Sequence, residues 1–237
     1  MSAASQHEPD QRWGAVDTFV CSTLVGAGQA APNYGEDEVL RQAVKASTAA
    51  GLPEIQVSAA QGKMLHLLAR AIRAERILEI GTLGGYSTIW LARALPREGR
   101  MISLEFSPHH AQVARGNLER AGVADRVEVI AGRAVDSLPG LVQHAPFDLT
   151  FVDADKQGTT EYVRWALRLS RPGSLIIVDN VIRGGDVINR ASADENVLGM
   201  QRFYEFVQSE PRLSATAIQT VGVKGYDGFA LMIVNAP

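Results

Sequence analysis

The spacing of apolar and polar residues divides the chain near residue 75. Before it, apolar positions recur at helical intervals. The pattern predicts helices over Trp13–Val25 and Asp37–Ala50, separated by the Gly-, Pro- and Asn-containing stretch Gly26–Gly35, with Gly51-Leu52-Pro53 as a stop. A third helix is predicted over Ala59–Ile72, with Ser58 as its N-cap and Leu65, Leu68, Ala69 and Ile72 on one face. Residues 1–12 are polar and expected to be mobile. From Arg76 onward, short apolar runs alternate with helical segments. Strands are predicted at Ile77–Ile80, Met101–Glu105, Val127–Ala131, Phe147–Val152, Ser174–Asp179, Ala215–Thr220 and Phe229–Val234. Helices at Tyr86–Leu95, Pro108–Ala121, Ala134–Gln143 and Thr159–Leu169 lie between the first five. Repeated βα units with short connections imply a parallel sheet covered by helices on both faces. The last two strands, joined across Gly222–Gly228, read as a hairpin, which makes one edge strand antiparallel.

In an open sheet of this kind, ligands bind beyond the carboxyl ends of the strands. The chain is organised around one such end, the stretch Arg76–Ser87 (RILEIGTLGGYS), in which an apolar strand runs into three glycines and then a helix. Glycines there let backbone approach a ligand, although such a turn also serves as a plain tight connection. The spacing is G-x-x-G-G, not the dinucleotide fingerprint G-x-G-x-x-G. Glu105 closes the second strand, where a carboxylate can accept both hydroxyls of a ribose, a device that NAD enzymes share. Asp153 and the pair Asp179-Asn180 each stand where an apolar strand stops, on successive strands. Two carboxylates and an amide oxygen form an oxygen-only set suited to a hard cation such as Mg²⁺, leaving coordination places for water or substrate. Lys156, three residues past Asp153, is a candidate base, because an ammonium beside a divalent cation gives up its proton more easily.

Composition narrows the alternatives. With a formal net charge of −3 there is no electrostatic case for nucleic acid or an anionic membrane as partner. Cys21 is the single cysteine, so neither an internal disulfide nor a thiolate zinc cluster is expected. The five histidines, at 7, 66, 109, 110 and 144, show no H-x-x-x-H pairing, and no G-x-S-x-G elbow is present to support nucleophilic hydrolysis. The stretch 13–31 carries Asp17 and lacks the basic and uninterrupted apolar regions of a signal peptide, and no run reaches the length of a membrane span. A cytoplasmic protein is expected.

Taken in order, ILEIGTLGGYSTIWLARALP, SLEFSP, FDLTFVDADK and LIIVDN resemble the cation-dependent O-methyltransferases that use S-adenosylmethionine, the group of catechol and caffeoyl-CoA O-methyltransferases and their bacterial relatives. FVDADK followed by VDN is the specific part of the match, which runs from about residue 55 to the end. The resemblance implies a Rossmann-like class I methyltransferase fold, a seven-stranded, mostly parallel sheet with a reversed last strand. It implies a variable extension over residues 1–35 with a helix, one methyltransferase domain over 36–237, and a homodimer. By the same resemblance Gly81, Ser87 and the backbone near Val57 would hold the methionine end of the cofactor, Glu79 its amino group, Glu105 the ribose and Ala134 the adenine edge. Asp153, Asp179 and Asn180 match the metal ligands, for Mg²⁺ or else Mn²⁺ or Ca²⁺. Asp153 would also take part in cofactor binding and catalysis, and Lys156 matches the base. The implied reaction is Mg²⁺-dependent methyl transfer to a hydroxyl of a vicinal diphenol, a small phenolic acceptor whose two oxygens chelate the cation. An NAD-dependent oxidoreductase on a similar sheet and a non-catalytic S-adenosylmethionine-binding protein remain as alternatives. The segments 183–199 and 223–228 lie where the family varies its acceptor pocket.

Overall fold

The computed structural model describes residues 11–26 and 36–236. Seven strands form one sheet: β1 (Arg76–Ile80), β2 (Arg100–Glu105), β3 (Val127–Ala131), β4 (Phe147–Val152), β5 (Ser170–Asp179), β6 (Leu213–Gly222) and β7 (Gly225–Val234), in the order β3-β2-β1-β4-β5-β7-β6. The first five pair in parallel, and β7 is antiparallel to both neighbours. This is the seven-stranded, mostly parallel sheet with a reversed last strand that the resemblance implies. Alternate residues of each parallel strand feed two different cores, as the period of two requires. Ile77, Phe151 and Ile177 pack on one face with Trp90 and Leu65, whereas Leu78, Val152 and Ile176 pack on the other with Val163 and Phe203.

Helices α2 (Glu38–Ala49), α3 (Ala59–Ala71), α4 (Tyr86–Ala92) and α5 (Pro108–Arg120) contribute to the first core. The second receives α7 (Thr159–Arg168) and α8 (Glu195–Ser209). Their starts are written in the sequence: Asp37 caps α2, Ser58 caps α3 through Gln61 N–H at 3.2 Å, and Ser107 with Pro108 opens α5. Helix α1 (Gln11–Val20) runs into a single π-turn at Cys21–Val25, and Asp17 ties it to the β6–β7 hairpin by accepting from Val223 N–H at 2.8 Å.

Several expectations are corrected. The antiparallel strand is not at the edge: β7 inserts between β5 and β6, and the edge strand β6 runs with β5. A hairpin signal gives the pairing of two strands but not which of them docks on the sheet, and the more buried β7 takes the inner place. The hairpin is also longer than read, with only Val223 and Lys224 between its strands. The helix expected over Ala134–Gln143 is α6 (Ala134–Ser137) followed by a 3₁₀ segment, Leu138–His144, because Pro139 has no N–H to continue an α-helix. The helix expected to Leu95 ends at Ala92, and α1 begins at Gln11, inside the stretch expected to be mobile. Helix α8 and the 3₁₀ segment Arg183–Ile188 were not predicted. The expectations for residues 1–10 and for most of the Gly26–Gly35 connection lie outside the described residues. Among the described residues, no helix is long and apolar enough to cross a membrane.

Candidate active site

The strand order reverses between β1 and β4, because β1 is followed by β2 on one side while β4 lies on the other. A crevice opens at the carboxyl ends of strands at such a point. Gly81 N–H bonds the Leu104 carbonyl at 2.9 Å, and Asp153 N–H bonds the Ile80 carbonyl at 2.9 Å, so the ends of β2, β1 and β4 are locked side by side. Gly81 has φ +102°, and a Cβ there would overlap the Asp153 carbonyl oxygen. Only glycine permits both the conformation and the approach. Gly85, at φ +82°, then turns the chain into α4.

Glu79 sits beneath this turn, fully buried. Its carboxylate accepts from Ser87 Oγ at 2.7 Å, Thr88 Oγ1 at 2.5 Å and Ser103 Oγ at 2.6 Å, and Ser103 also meets Thr82 Oγ1 at 2.5 Å. Burial pushes the Glu79 carboxyl up to about 7 against the pull of the three hydroxyls, with the charge of Asp153 adding to the rise. Of these partners only Ser87 was singled out from the sequence. Thr82, Thr88 and Ser103 come from three different elements, and nothing in their spacing signals the cluster.

Glu105 is buried at the end of β2, as expected, but its carboxylate is already engaged. Oε2 accepts from Thr82 N–H at 3.1 Å and Leu83 N–H at 2.7 Å, and Oε1 from Ser107 N–H at 3.0 Å, with His110 Nδ1 at 3.3 Å. Glu105 therefore holds the glycine turn. Ala134 opens α6 beyond β3, and buried Val57 precedes α3.

The oxygen set converges at the ends of β4 and β5. Asp179 is buried, and burial followed by the nearby charge of Asp153 pushes its carboxyl up, while Lys156 opposes the rise. Lys156 is itself buried and bonds Asp153 Oδ1 at 3.1 Å. Asn180 takes the left-handed conformation at φ +57°, which asparagine tolerates, and its N–H donates to Asp179 Oδ1 at 2.8 Å. That kink is held from the hairpin: Val181 N–H bonds Gly228 O at 3.0 Å, and Asp227 Oδ1 accepts from Ile182 and Arg183 N–H at 3.0 and 3.1 Å. Gln61 of α3 stands near the Asp179 carboxylate and opposes the rise of its pKa. Sequence reading missed both Asp227 and Gln61, which stand far along the chain from the strand ends they support.

These donors fit a hard divalent cation. All are oxygens, and the half-buried Asp153 beside the buried Asp179 carboxylate sets up a repulsion that a cation would relieve. A cavity of about 230 Å³ lies between α3 and the β6–β7 hairpin, its walls including Gln61, Met64 and Phe229, with Asp17 and Lys224 also lining it. Phe229 is the cross-strand partner of Asp179.

Residues 29–233 match the model of the O-methyltransferase family. The chain is 55% identical over 220 residues to a catechol O-methyltransferase of Mycobacterium tuberculosis, covering 93% of this chain and 95% of that protein. It is 52% identical over 202 residues to a catechol O-methyltransferase of Niastella koreensis, covering 84% and 91%. Its fold superposes on the O-methyltransferase of Bacillus cereus, solved in complex with SAH, with a TM-score of 0.90 at 51% identity over 95% of this chain and 99% of that one. With the family's sheet and the family's sequence along nearly its whole length, the chain belongs to the cation-dependent, S-adenosylmethionine-using O-methyltransferases.

Proposed function

We propose that this enzyme transfers a methyl group from S-adenosylmethionine to one hydroxyl of a vicinal diphenol, with Mg²⁺ held by Asp153, Asp179 and Asn180. The observation that carries the reading is the convergence of those three residues and Lys156 at the ends of β4 and β5, next to the glycine turn of β1. The names of the catechol O-methyltransferase relatives support the acceptor class. A bound divalent cation would supply Lewis acidity to an acceptor hydroxyl.

The chain's own residues divide the remaining work. The turn Gly81–Gly85, Ser87, Glu79 and the backbone near Val57 would bind the methionine end of S-adenosylmethionine, with Glu105 at the ribose and Ala134 at the adenine. Lys156 Nζ, 3.1 Å from Asp153 Oδ1, would take the proton of the acceptor hydroxyl. Asp153 fixes where that amine stands. The cavity of about 230 Å³ between α3 and the β6–β7 hairpin has room for one aromatic ring, with an apolar wall at Met64 and Phe229.

A chelating acceptor gains orientation that a single hydroxyl cannot, and misplacement by about 1 Å can cost roughly 10²-fold in rate. Caffeate should therefore exceed coumarate in kcat/KM by at least about that factor at saturating S-adenosylmethionine. EDTA should abolish turnover, and Mg²⁺ or Mn²⁺ should restore it. Equal rates on the matched acceptors would overturn the chelating diphenol, and full activity in chelator would overturn the metal set.

A further inference from the structure

At the opposite edge of the sheet, where the strands begin, three arginines stand in one row. Arg76 and Arg100 are direct cross-strand partners at the starts of β1 and β2. The Arg126 carbonyl accepts from Met101 N–H at 2.9 Å, which continues the row just before β3. Side chains alternate along strands, so the row shares a face with Ile102 and Glu128 one step further in. Like charges placed directly opposite one another destabilise a sheet. Arg126 Nε has a partner, Asp125 Oδ1 at 3.3 Å. Arg100 donates only to its neighbouring Gly99 carbonyl, at 2.9 Å, and among the described residues neither Arg76 nor Arg100 has a carboxylate within ion-pair distance.

All three line a cavity of about 510 Å³, together with Gln143, His144 and Phe147. That volume lies within the range of small-molecule sites. It lies at the amino ends of the strands, away from the crevice used by the methyltransferase reaction. Nothing in that reaction uses the arginine row.

We propose that this cavity is a second ligand site, for a small phosphorylated molecule whose phosphate is held by Arg76 and Arg100. Guanidinium forks match phosphate oxygens in pairs, and among the described residues neither Arg76 nor Arg100 is paired with a carboxylate. Glu128, one step inward, and Asp125 at the rim also line the cavity. Their charge bars an anion from filling the whole space and suits hydroxyl donors instead. The ligand therefore has an anionic head and a neutral, hydroxyl-bearing body, as a sugar phosphate does.

Calorimetry on the full chain tests the site, with ribose 5-phosphate as probe, ribose as control, and saturating S-adenosylhomocysteine to fill the crevice. Ribose 5-phosphate should bind and ribose should not. The double variant Arg76→Gln/Arg100→Gln should weaken binding by at least about tenfold, the scale of a lost charge-assisted bond, and leave S-adenosylhomocysteine affinity unchanged. That unchanged affinity shows that the variant is folded. Three results would overturn the site: no heat from ribose 5-phosphate at millimolar concentration, equal affinity in the double variant, or displacement by S-adenosylhomocysteine.

Discussion

Replacing Glu79 by glutamine should remove a pH-dependent loss of stability, and the size of the effect follows from where the carboxyl sits. Glu79 is fully buried under the glycine turn, and burial raises its carboxyl from 4.5 to about 7. The folded state thus retains a proton that the unfolded chain releases. The stability this group contributes is complete below about pH 4.5, is lost as pH rises toward 7, and is flat above that. Between pH 5 and 8 the loss works out to about 2.5 kcal/mol. Glutamine occupies the same volume and does not ionise. Asp179 is pushed in the same direction but is present in both proteins, so it cancels in the difference. Urea unfolding at pH 5, 6, 7 and 8 should show the wild type losing about 2.5 kcal/mol relative to Glu79→Gln across that range. The variant should also bind S-adenosylmethionine more weakly. A difference that stays flat with pH would refute the assignment, because it would mean that the three hydroxyl donors hold the carboxylate ionised throughout.

Two further outcomes follow from the same region. Lys156→Ala should lower kcat by about 10²–10⁴-fold with S-adenosylmethionine affinity nearly unchanged by calorimetry, and Lys156→Arg should not rescue it, because guanidinium keeps its proton; substantial activity in the arginine variant would assign Lys156 a purely electrostatic part. Gly81→Ala should cost roughly 3 kcal/mol or more in urea unfolding, since it combines a left-handed φ with overlap on a backbone oxygen that cannot rotate away, and a loss below about 1 kcal/mol would show that β1 and β4 can part there.

The sheet and the positions of the strand-end residues were legible because both are local signals. An apolar run that stops at Asp153 or Asp179 marks its own boundary, and a serine before a helix marks the next. What the sequence hid was long-range. The place of β7 depends on which hairpin strand buries more surface, and α8 follows a segment whose turns, with Gly184 and Gly185 at positive φ, break any periodic pattern. The hydroxyls around Glu79 and the carboxylate of Asp227 beneath Ile182 and Arg183 act across tens of residues. Glu105 was legible as a strand-end carboxylate, but its grip on Thr82 and Leu83 N–H was not, because it depends on how tightly β1 and β2 end together.

The charges at the switch point explain why these residues belong together. Glu79, Glu105, Asp153 and Asp179 are four carboxyls gathered at the ends of adjacent strands, and Lys156 stands among them, bonded to Asp153. Asp153 raises the carboxyls of both Glu79 and Asp179, so the cluster is destabilised by its own charge. A site built only for stability would have exchanged some of these groups for apolar ones, since the strands around them are already filled with Ile, Leu, Val and Phe. An excess of negative charge in a crevice favours cationic ligands. The proposed reaction brings two of them to this place, the sulfonium of S-adenosylmethionine and a divalent metal. The same excess favours the charged cofactor over its neutral thioether product, so the groups that hold the sulfonium also weaken the hold on what remains after transfer. Glu79, raised to about 7, carries its charge above that pH, so at pH 8 Glu79→Gln should narrow the difference in affinity between S-adenosylmethionine and S-adenosylhomocysteine, read by calorimetry with each ligand in turn. An unchanged ratio would mean that the cluster's charge plays no part in telling the sulfonium from the thioether.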